Sequence, residues 1–341
     1  MLYYTGKHAL FSWNIHTTVS LILNNKATRI PESTKELVLR TAKELNYRPN
    51  QLAISLLKKK TKTLGLLIPD INNAFFSNLA KGVENEAHKY GWTLILCNTD
   101  NHYERDLEYI NLLSSKGVEG ILYCMASDTN LKKFVNVKSL FESLNIPFVM
   151  IDRTFDISSI NSTKIDHRFG GYIATEHLIS LGHTKIACIT GPLHLEDSNN
   201  RLLGYKDALN KHGIPFDDSL IYSGNYQMSS GMQGVQNLRN KDYTAIFAFN
   251  DLMAFGVYKM LKQLGKRIPN DISVIGYDDI SFSEMLDVPL TTINQPINRA
   301  GKLAVRHLID SIESKTTFVK IPVFSPKLVI RESTAPPKST K

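Results

Sequence analysis

Residues 46–70 read NYRPNQLAISLLKKKTKTLGLLIPD, and the chain changes character in the middle of them. Pro49 biases Arg48 away from the helical region, so a helix should end near Asn46. Asn50 can cap a short new helix running to Leu57. That helix shows Leu52, Leu56 and Leu57, then three lysines in a row. A lone amphipathic turn of this length is unstable in water, so it needs a partner. From residue 63 the pattern becomes TLGLLIPD, an unbroken apolar run closed by Pro-Asp, which reads as a buried strand. Residues 47–62 therefore link a small N-terminal segment to a large body that opens on a strand.

Beyond residue 70 the body reads as repeated strand–helix units. TLILCNTD (93–100), GILYCMA (120–126) and PFVMIDR (147–153) are strands in a first series, with a helix expected over 131–144. A second series runs through KIACITG (185–191), AIFAFND (245–251) and ISVIGYDD (272–279) to LTTINQP (290–296). Strands alternating with helices predict an α/β class of doubly wound parallel sheets, and two series predict two lobes. Ligands in such sheets bind beyond the carboxyl ends of the strands. Asp70, Asn73, Asp152, Arg153, Asp166, Asn250, Asp278 and Gln295 all fall there, with Phe75 and Phe76 just after Asn73 and Arg201 opening RLLGY. Paired polar groups with aromatic faces suit a polyhydroxylated ligand, whose absence would leave buried groups unpaired.

Composition narrows the function classes. The chain has 341 residues and a net charge of +8. Residues 1–62 hold eleven basic and three acidic residues, while the remaining basic and acidic residues cancel. That is the footprint of a nucleic-acid-binding module on a neutral body. No apolar run is long enough for a membrane span, and the N-terminus lacks a secretory pattern, so a cytoplasmic location is expected. Cys97, Cys124 and Cys188 sit in apolar runs and read as buried thiols, with no metal or disulfide spacing. His177, His183 and His212 read as surface or helix-end residues. No G-x-G-x-x-G, Walker, H-E-x-x-H or G-x-S-x-G motif occurs, so no catalytic residue, metal site or cofactor is expected.

The N-terminal segment predicts a short helix over 17–24, a turn, and a helix over 32–45 that Pro31 opens. Leu37, Val38, Ala42 and Leu45 should form one apolar face against Val19, Ile22 and Leu23. Thr17, Thr18, Ser20, Leu21 and Asn24 are left on the opposite side, where short groups can reach base edges and phosphates. Taken together, TVS-x-x-LN, PESTKELV (31–38) and NYRPN (46–50) resemble the helix-turn-helix headpiece and hinge of the LacI/GalR family of transcription repressors. The resemblance implies a DNA-facing set of His16, Thr17, Thr18, Ser20, Leu21 and Asn24, joined by Tyr47, Asn50, Leu56 and Lys58. It makes Leu56 the wedge that opens the minor groove at the operator centre. Residues 1–15 depart from the family's first helix, of the form TIKDVAKLAGVS; we read this as an atypical or incomplete first helix, from a reading-frame fault or a degraded start upstream of His16.

In the body, NNAFF (72–76), DR (152–153), RLLGY (201–205), ND (250–251), GYD (276–278) and NQ (294–295) resemble the sugar-site motifs of the same family and of periplasmic ribose-binding proteins. Residue by residue, the resemblance assigns sugar hydrogen bonds to Asn73, Asp152, Arg153, Arg201, Asn250, Asp278 and Gln295, and stacking to Phe75, Phe76 and Tyr226. Met125 stands where the ribose pattern has asparagine, and Ala74 where it has proline. The segments LCNTD (96–100) and VIGYDDI (274–280) look most like ribose-operon repressors. The implied layout is a headpiece over 1–46, a hinge over 47–62, a first lobe over 63–161 plus 292–322, a second lobe over 162–291 plus 323–335, and a tail over 336–341. The implied function is a homodimeric repressor of a pseudo-palindromic operator, controlled by a small sugar, ribose above others. The alternatives are a cytosolic sugar-binding protein without DNA binding, or a repressor answering another sugar or a purine.

Overall fold

In the computed structural model, the structure describes residues 18–19, 21–23, 29–47, 60–155, 160–314 and 322–338. The chain divides into two compact units, residues 1–61 and 62–341. In the first, residues 18–19 and 21–23 are helical, and α1 spans Glu32–Glu44 with Pro31 as its N-cap. Ile22 is buried, as expected, and Val38 and Ala42 are half-buried, but Leu37 and Leu45 of the same expected face are 52% and 74% exposed.

The second unit carries the two predicted lobes. Its first sheet contains β1 (Thr63–Ile68), β2 (Thr93–Asn98), β3 (Gly120–Tyr123), β4 (Phe148–Ile151) and β5 (Ser162–Thr163), all parallel in the order β2-β1-β3-β4-β5. The second contains β6 (Ile186–Thr190), β7 (Ile221–Ser223), β8 (Ala245–Ala248) and β9 (Ser273–Ile275), parallel in the order β7-β6-β8-β9. A separate antiparallel pair joins β10 (Thr292–Asn294) to β11 (Lys327–Val329). Strands β1, β3, β6, β8 and β9 are buried almost throughout, which is why they read as unbroken apolar runs rather than alternating ones.

The helices cover both faces of each sheet. Around the first lie α2 (Ala74–Lys89), α3 (Tyr103–Ser115), α4 (Leu131–Leu144) and α9 (Ile297–Ser314); around the second lie α5 (His167–Ser180), α6 (Glu196–Lys211), α7 (Met228–Leu238) and α8 (Asp251–Gln263). Helix α9 buries Ile297, Ala300, Gly301, Ala304, Val305, Leu308 and Ile309, a stripe at three- and four-residue spacing. It packs with α2 and the first sheet around Leu64, Leu66, Leu79 and Val83. In the second lobe the helices approach backbone to backbone. A Cβ on Gly171 of α5 would overlap the Arg201 carbonyl of α6, and one on Gly204 of α6 would overlap the Arg168 carbonyl of α5. Gly231 of α7 and Gly256 of α8 make the same reciprocal contact with the Met253 and Met228 carbonyls.

Three crossings join the lobes, and they run side by side. Ile165 bridges Phe324, and Asn294 faces Lys327 in the β10–β11 pair. Strand β5 pairs with β4 through Met150 and Ser162. The first lobe therefore continues past residue 161, where the sequence pattern ends it. Asn294 bridges Asp278, so residues 292–294 run with the second lobe rather than the first. The expected boundaries erred because a two- or three-residue strand carries too little pattern to show which sheet it joins.

The histidine expectation also needs correcting. His183 is 1% exposed, with Nδ1 at 2.7 Å from Thr244 Oγ1 and Nε2 at 2.9 Å from the Ala335 carbonyl oxygen. With Ser333, which donates to the Val274 carbonyl, it fastens residues 333–335 along β9. The three cysteines are buried, as expected. Among the described residues no helix is long and apolar enough to cross a membrane.

Candidate ligand-binding site

Both parallel sheets reverse direction of winding at their first strand, β1 in one and β6 in the other, and a sheet of this kind opens a crevice beyond the carboxyl ends there. Residues just past the strand ends of both lobes meet around a cavity of about 20 Å³. Its lining is Asn73, Phe75, Phe76, Asp152, Arg153, Asp197, Arg201, Tyr226, Asn250 and Asp278. Every predicted ligand residue but Gln295 is in that lining. Gln295 stands behind it, donating from Nε2 to Asp278 Oδ1 at 2.6 Å. Asp197 is the pocket residue that the sequence reading lacks. Its signal was the spacing to Arg201, four residues on along α6, which brings Asp197 Oδ2 to 3.9 Å from Arg201 Nη2.

Local structure holds these side chains still. Asn73 caps α2 by accepting from Phe75 N at 3.0 Å, and Asn250 caps α8 by accepting from Met253 N at 2.9 Å. Asn250 also donates to the Tyr226 carbonyl at 2.9 Å. Asp152, Tyr226 and Asp278 hold φ of 66°, 68° and 125°, in the left-handed region that side chains avoid. Strain of this kind costs about 1–3 kcal/mol per residue and persists where the surroundings enforce it. The Tyr226 ring lies against Gly191, where a Cβ would displace it.

The two arginines occupy the middle. Arg153 donates from Nη1 to Asn101 Oδ1 at 2.9 Å and to the Met125 carbonyl at 3.3 Å, and its guanidinium lies 5.2 Å from the Phe76 ring centre. Met125 thus serves through its backbone, while its side chain packs in the core. Arg201 is 2% exposed. It lies 3.9 Å from the Tyr277 ring centre and donates to the Phe249 carbonyl and to His167 Nδ1.

The carboxylates respond to those arginines differently. Burial strongly favours the neutral form of Asp197, yet Arg201 foremost, with Arg153 and the Tyr226 hydroxyl, holds its carboxyl below the usual range. Asp278 goes the other way: burial pushes it well above the usual range, against the pull of Arg201, with Asp251 and Asp152 adding to the rise. Three buried acceptors, Asp152 Oδ1, Asp197 Oδ1 and Gln295 Oε1, have no hydrogen-bond partner among the described residues. Among those residues no cluster of His, Cys, Asp and Glu could hold a metal.

Of the expected DNA-facing residues, His16, Thr17, Ser20, Asn24, Asn50, Leu56 and Lys58 lie outside the described residues. Thr18 and Leu21 are helical, Thr18 half-buried and Leu21 37% exposed, and Tyr47 is 56% exposed.

The chain is similar to known proteins over most of its length. The profile described as "Periplasmic binding proteins and sugar binding domain of LacI family" matches residues 61–329. The HTH-type transcriptional repressor PurR of Vibrio vulnificus (strain CMCP6) is 39% identical over 321 residues, 93% of this chain and 94% of that protein. The HTH-type transcriptional regulator DegA of Bacillus subtilis (strain 168) is 36% identical over 94% of each chain. Among solved structures, a LacI family transcriptional regulator from Enterococcus faecium with bound ribose is 34% identical, with a TM-score of 0.73 over 81% of this chain and 100% of that one. The lac repressor dimer bound to operator and the anti-inducer ONPF is 27% identical, with a TM-score of 0.83 over 94% and 95%.

Proposed function

The chain belongs to the LacI family of transcriptional repressors, and on that premise we propose that ribose is the small molecule that sets its affinity for operator DNA. It is a repressor under small-molecule control and not an enzyme. The observation that carries the ribose reading is the pair of unpaired acceptors in the lining, on Asp152 and Asp197. Two buried acceptors call for donors, which the hydroxyls of a pentose supply and the edge of a purine base supplies sparingly. Phe75, Phe76 and Tyr226 offer faces for the sugar's C–H surface. The ribose-bound Enterococcus faecium regulator supports this choice, while the several relatives named PurR make a purine the reading to test against it.

Titration calorimetry of the full chain against ribose, arabinose and hypoxanthine separates the two. Ribose should bind and the others should bind more weakly. Heat with hypoxanthine and none with ribose would overturn the ribose reading and leave the family membership intact.

In the mechanism we infer, ligand bound between the lobes changes their relative angle, the three crossings flex, and the hinge over 47–62 loses its grip on the operator. The ligand can shift that balance only by its differential affinity for the two arrangements. Two copies of the chain then read a pseudo-palindromic operator, which makes the cytoplasm the proposed compartment.

Two further outcomes test the reading of the head. Lys58→Ala should weaken binding to all DNA sequences alike and flatten the salt slope by about one unit. An unchanged slope in fluorescence-anisotropy titrations argues against a phosphate contact. Leu56→Ala should weaken operator binding at least about tenfold while leaving ribose binding untouched, since a lost wedge no longer opens the minor groove. Equal operator affinity would remove Leu56 from the interface.

A further inference from the structure

We propose that His167 is a positioning residue of the pocket: a neutral imidazole with its proton on Nε2, whose Nδ1 holds the Arg201 guanidinium in place for the ligand. His167 opens α5 immediately after the chain crosses from the first lobe, and it is 5% exposed. Its Nδ1 lies 3.4 Å from Arg201 Nε, 3.3 Å from Arg201 Nη2 and 3.3 Å from the Tyr277 hydroxyl. A guanidinium only donates, so Nδ1 must be the bare nitrogen. In a neutral ring the proton then sits on Nε2. Nε2 is 3.4 Å from Asp152 Oδ1, without hydrogen-bond geometry, and neither atom has a hydrogen-bond partner among the described residues. The ring thus reaches from an arginine of the second lobe to an aspartate at the end of β4 in the first.

Protonation would place a hydrogen on Nδ1, facing the guanidinium. The acceptor would be lost and two cations would be opposed at contact distance. Arg201 would have to move, and Arg201 lines the cavity. The charged and titratable groups around the ring are Asp152 after β4, Arg201 and Asp197 on α6, Tyr277 after β9, and Arg153 beyond Asp152. On its own helix, Asp166 caps the first turn and Arg168 is paired with Asp207. Neither Asp152 nor Asp197 forms a hydrogen bond with the ring, whereas Arg201 is bonded to it directly. Asparagine at 167 would keep an acceptor for Arg201, and leucine would not.

The test has two arms, because the affinity arm rests on the ribose reading and the other does not. In full-length protein with ¹⁵N-labelled histidine, the His167 signal is identified by its loss in His167→Asn. At pH 7.5 it should show the proton on Nε2 and a bare Nδ1; a proton on Nδ1 overturns the proposal. In calorimetry with ribose at pH 7.5, His167→Leu should bind at least about tenfold more weakly than wild type, and His167→Asn, which restores an acceptor, should recover affinity to within about threefold of wild type. A leucine variant that binds as tightly as wild type, or an asparagine variant as weak as the leucine one, overturns the proposal. If wild type binds no ribose, the ribose reading falls and the tautomer decides alone.

Discussion

Arg201→Ala should abolish measurable ribose binding and destabilise the body by about 3–5 kcal/mol at pH 7.5, the usual cost of stripping a buried charge of its partner. Arg201 is wholly enclosed, and burial alone would lower its affinity for a proton; Tyr226, Tyr277, Asp197 and Asp278 more than reverse that, so it stays charged. Removing it exposes the carboxylates that depend on it. Asp197 has a lowered folded pKa, so it stabilises the fold at neutral pH and loses that contribution only in strong acid. Without Arg201, desolvation becomes its dominant influence and the shift reverses. The variant's stability should therefore rise more steeply than that of wild type as pH falls from 7.5 to 5, because Asp197 joins Asp278 and Asp251 as a carboxyl held above its usual range. Urea unfolding at the two pH values measures it. A variant whose unfolding free energy differs by less than about 1 kcal/mol from wild type would show that Asp197 and Asp278 find other partners.

The second large effect belongs to a residue outside the pocket. Asp251 is fully buried. Its Oδ2 accepts from Ile280 N at 3.0 Å and Ser283 Oγ at 2.6 Å, and its Oδ1 accepts from Thr292 Oγ1 at 2.6 Å. One carboxylate thereby ties the start of α8 to the 3₁₀ turn Ser281–Glu284 and to the β10 crossing. Asp251→Ala leaves the Ile280 N–H unpaired and two hydroxyls adrift, and should cost about 3 kcal/mol or more in urea unfolding. Burial pushes this carboxyl up to about 6, against hydrogen bonds from Ser283, Thr292 and Ile280, with Asp279 adding to the rise. A raised folded pKa means that its contribution is fully present below the ordinary carboxylate range and is lost as pH climbs through about 6. Asp106, whose burial likewise lifts it to about 6, acts in the same sense in the first lobe. Asp251→Asn should remove its share of that dependence. A pH–stability curve identical to wild type would show that Asp251 titrates normally.

Much of this site could be read from the chain because parallel strands announce themselves. A strand buried on both faces is an unbroken apolar run, and the polar residue that ends it stands at the ligand crevice. Asn73, Asp152, Arg153, Asn250 and Asp278 were legible for that reason. Helix α4 follows the expected 131–144 because Asn130 caps its start and Asn145, at φ 52°, turns the chain out of it. Other residues owe their roles to contacts distant in sequence. His167 meets Arg201 only because Gly171 and Gly204 let α5 and α6 touch. Asp251 reads as a helix start, and only the fold brings Ile280 and Thr292 to it. Leu37 and Leu45 have core-like spacing, but spacing shows only that a face is apolar and not that anything covers it. Gln295 ends a strand as the others do, yet it reaches the pocket through Asp278.

The reciprocal glycine seams also have a mechanical consequence. With carbonyls of one helix lying where a methyl group would otherwise be, the α5–α6 and α7–α8 pairs touch backbone to backbone, and a close-packed contact of that kind transmits strain rather than absorbing it. The second lobe should behave as a stiff plate. A load applied at Arg201, which sits on one of these seams, is then not dissipated inside the lobe. It is delivered to the three adjacent crossings between the lobes, so the compliance of the body is concentrated there.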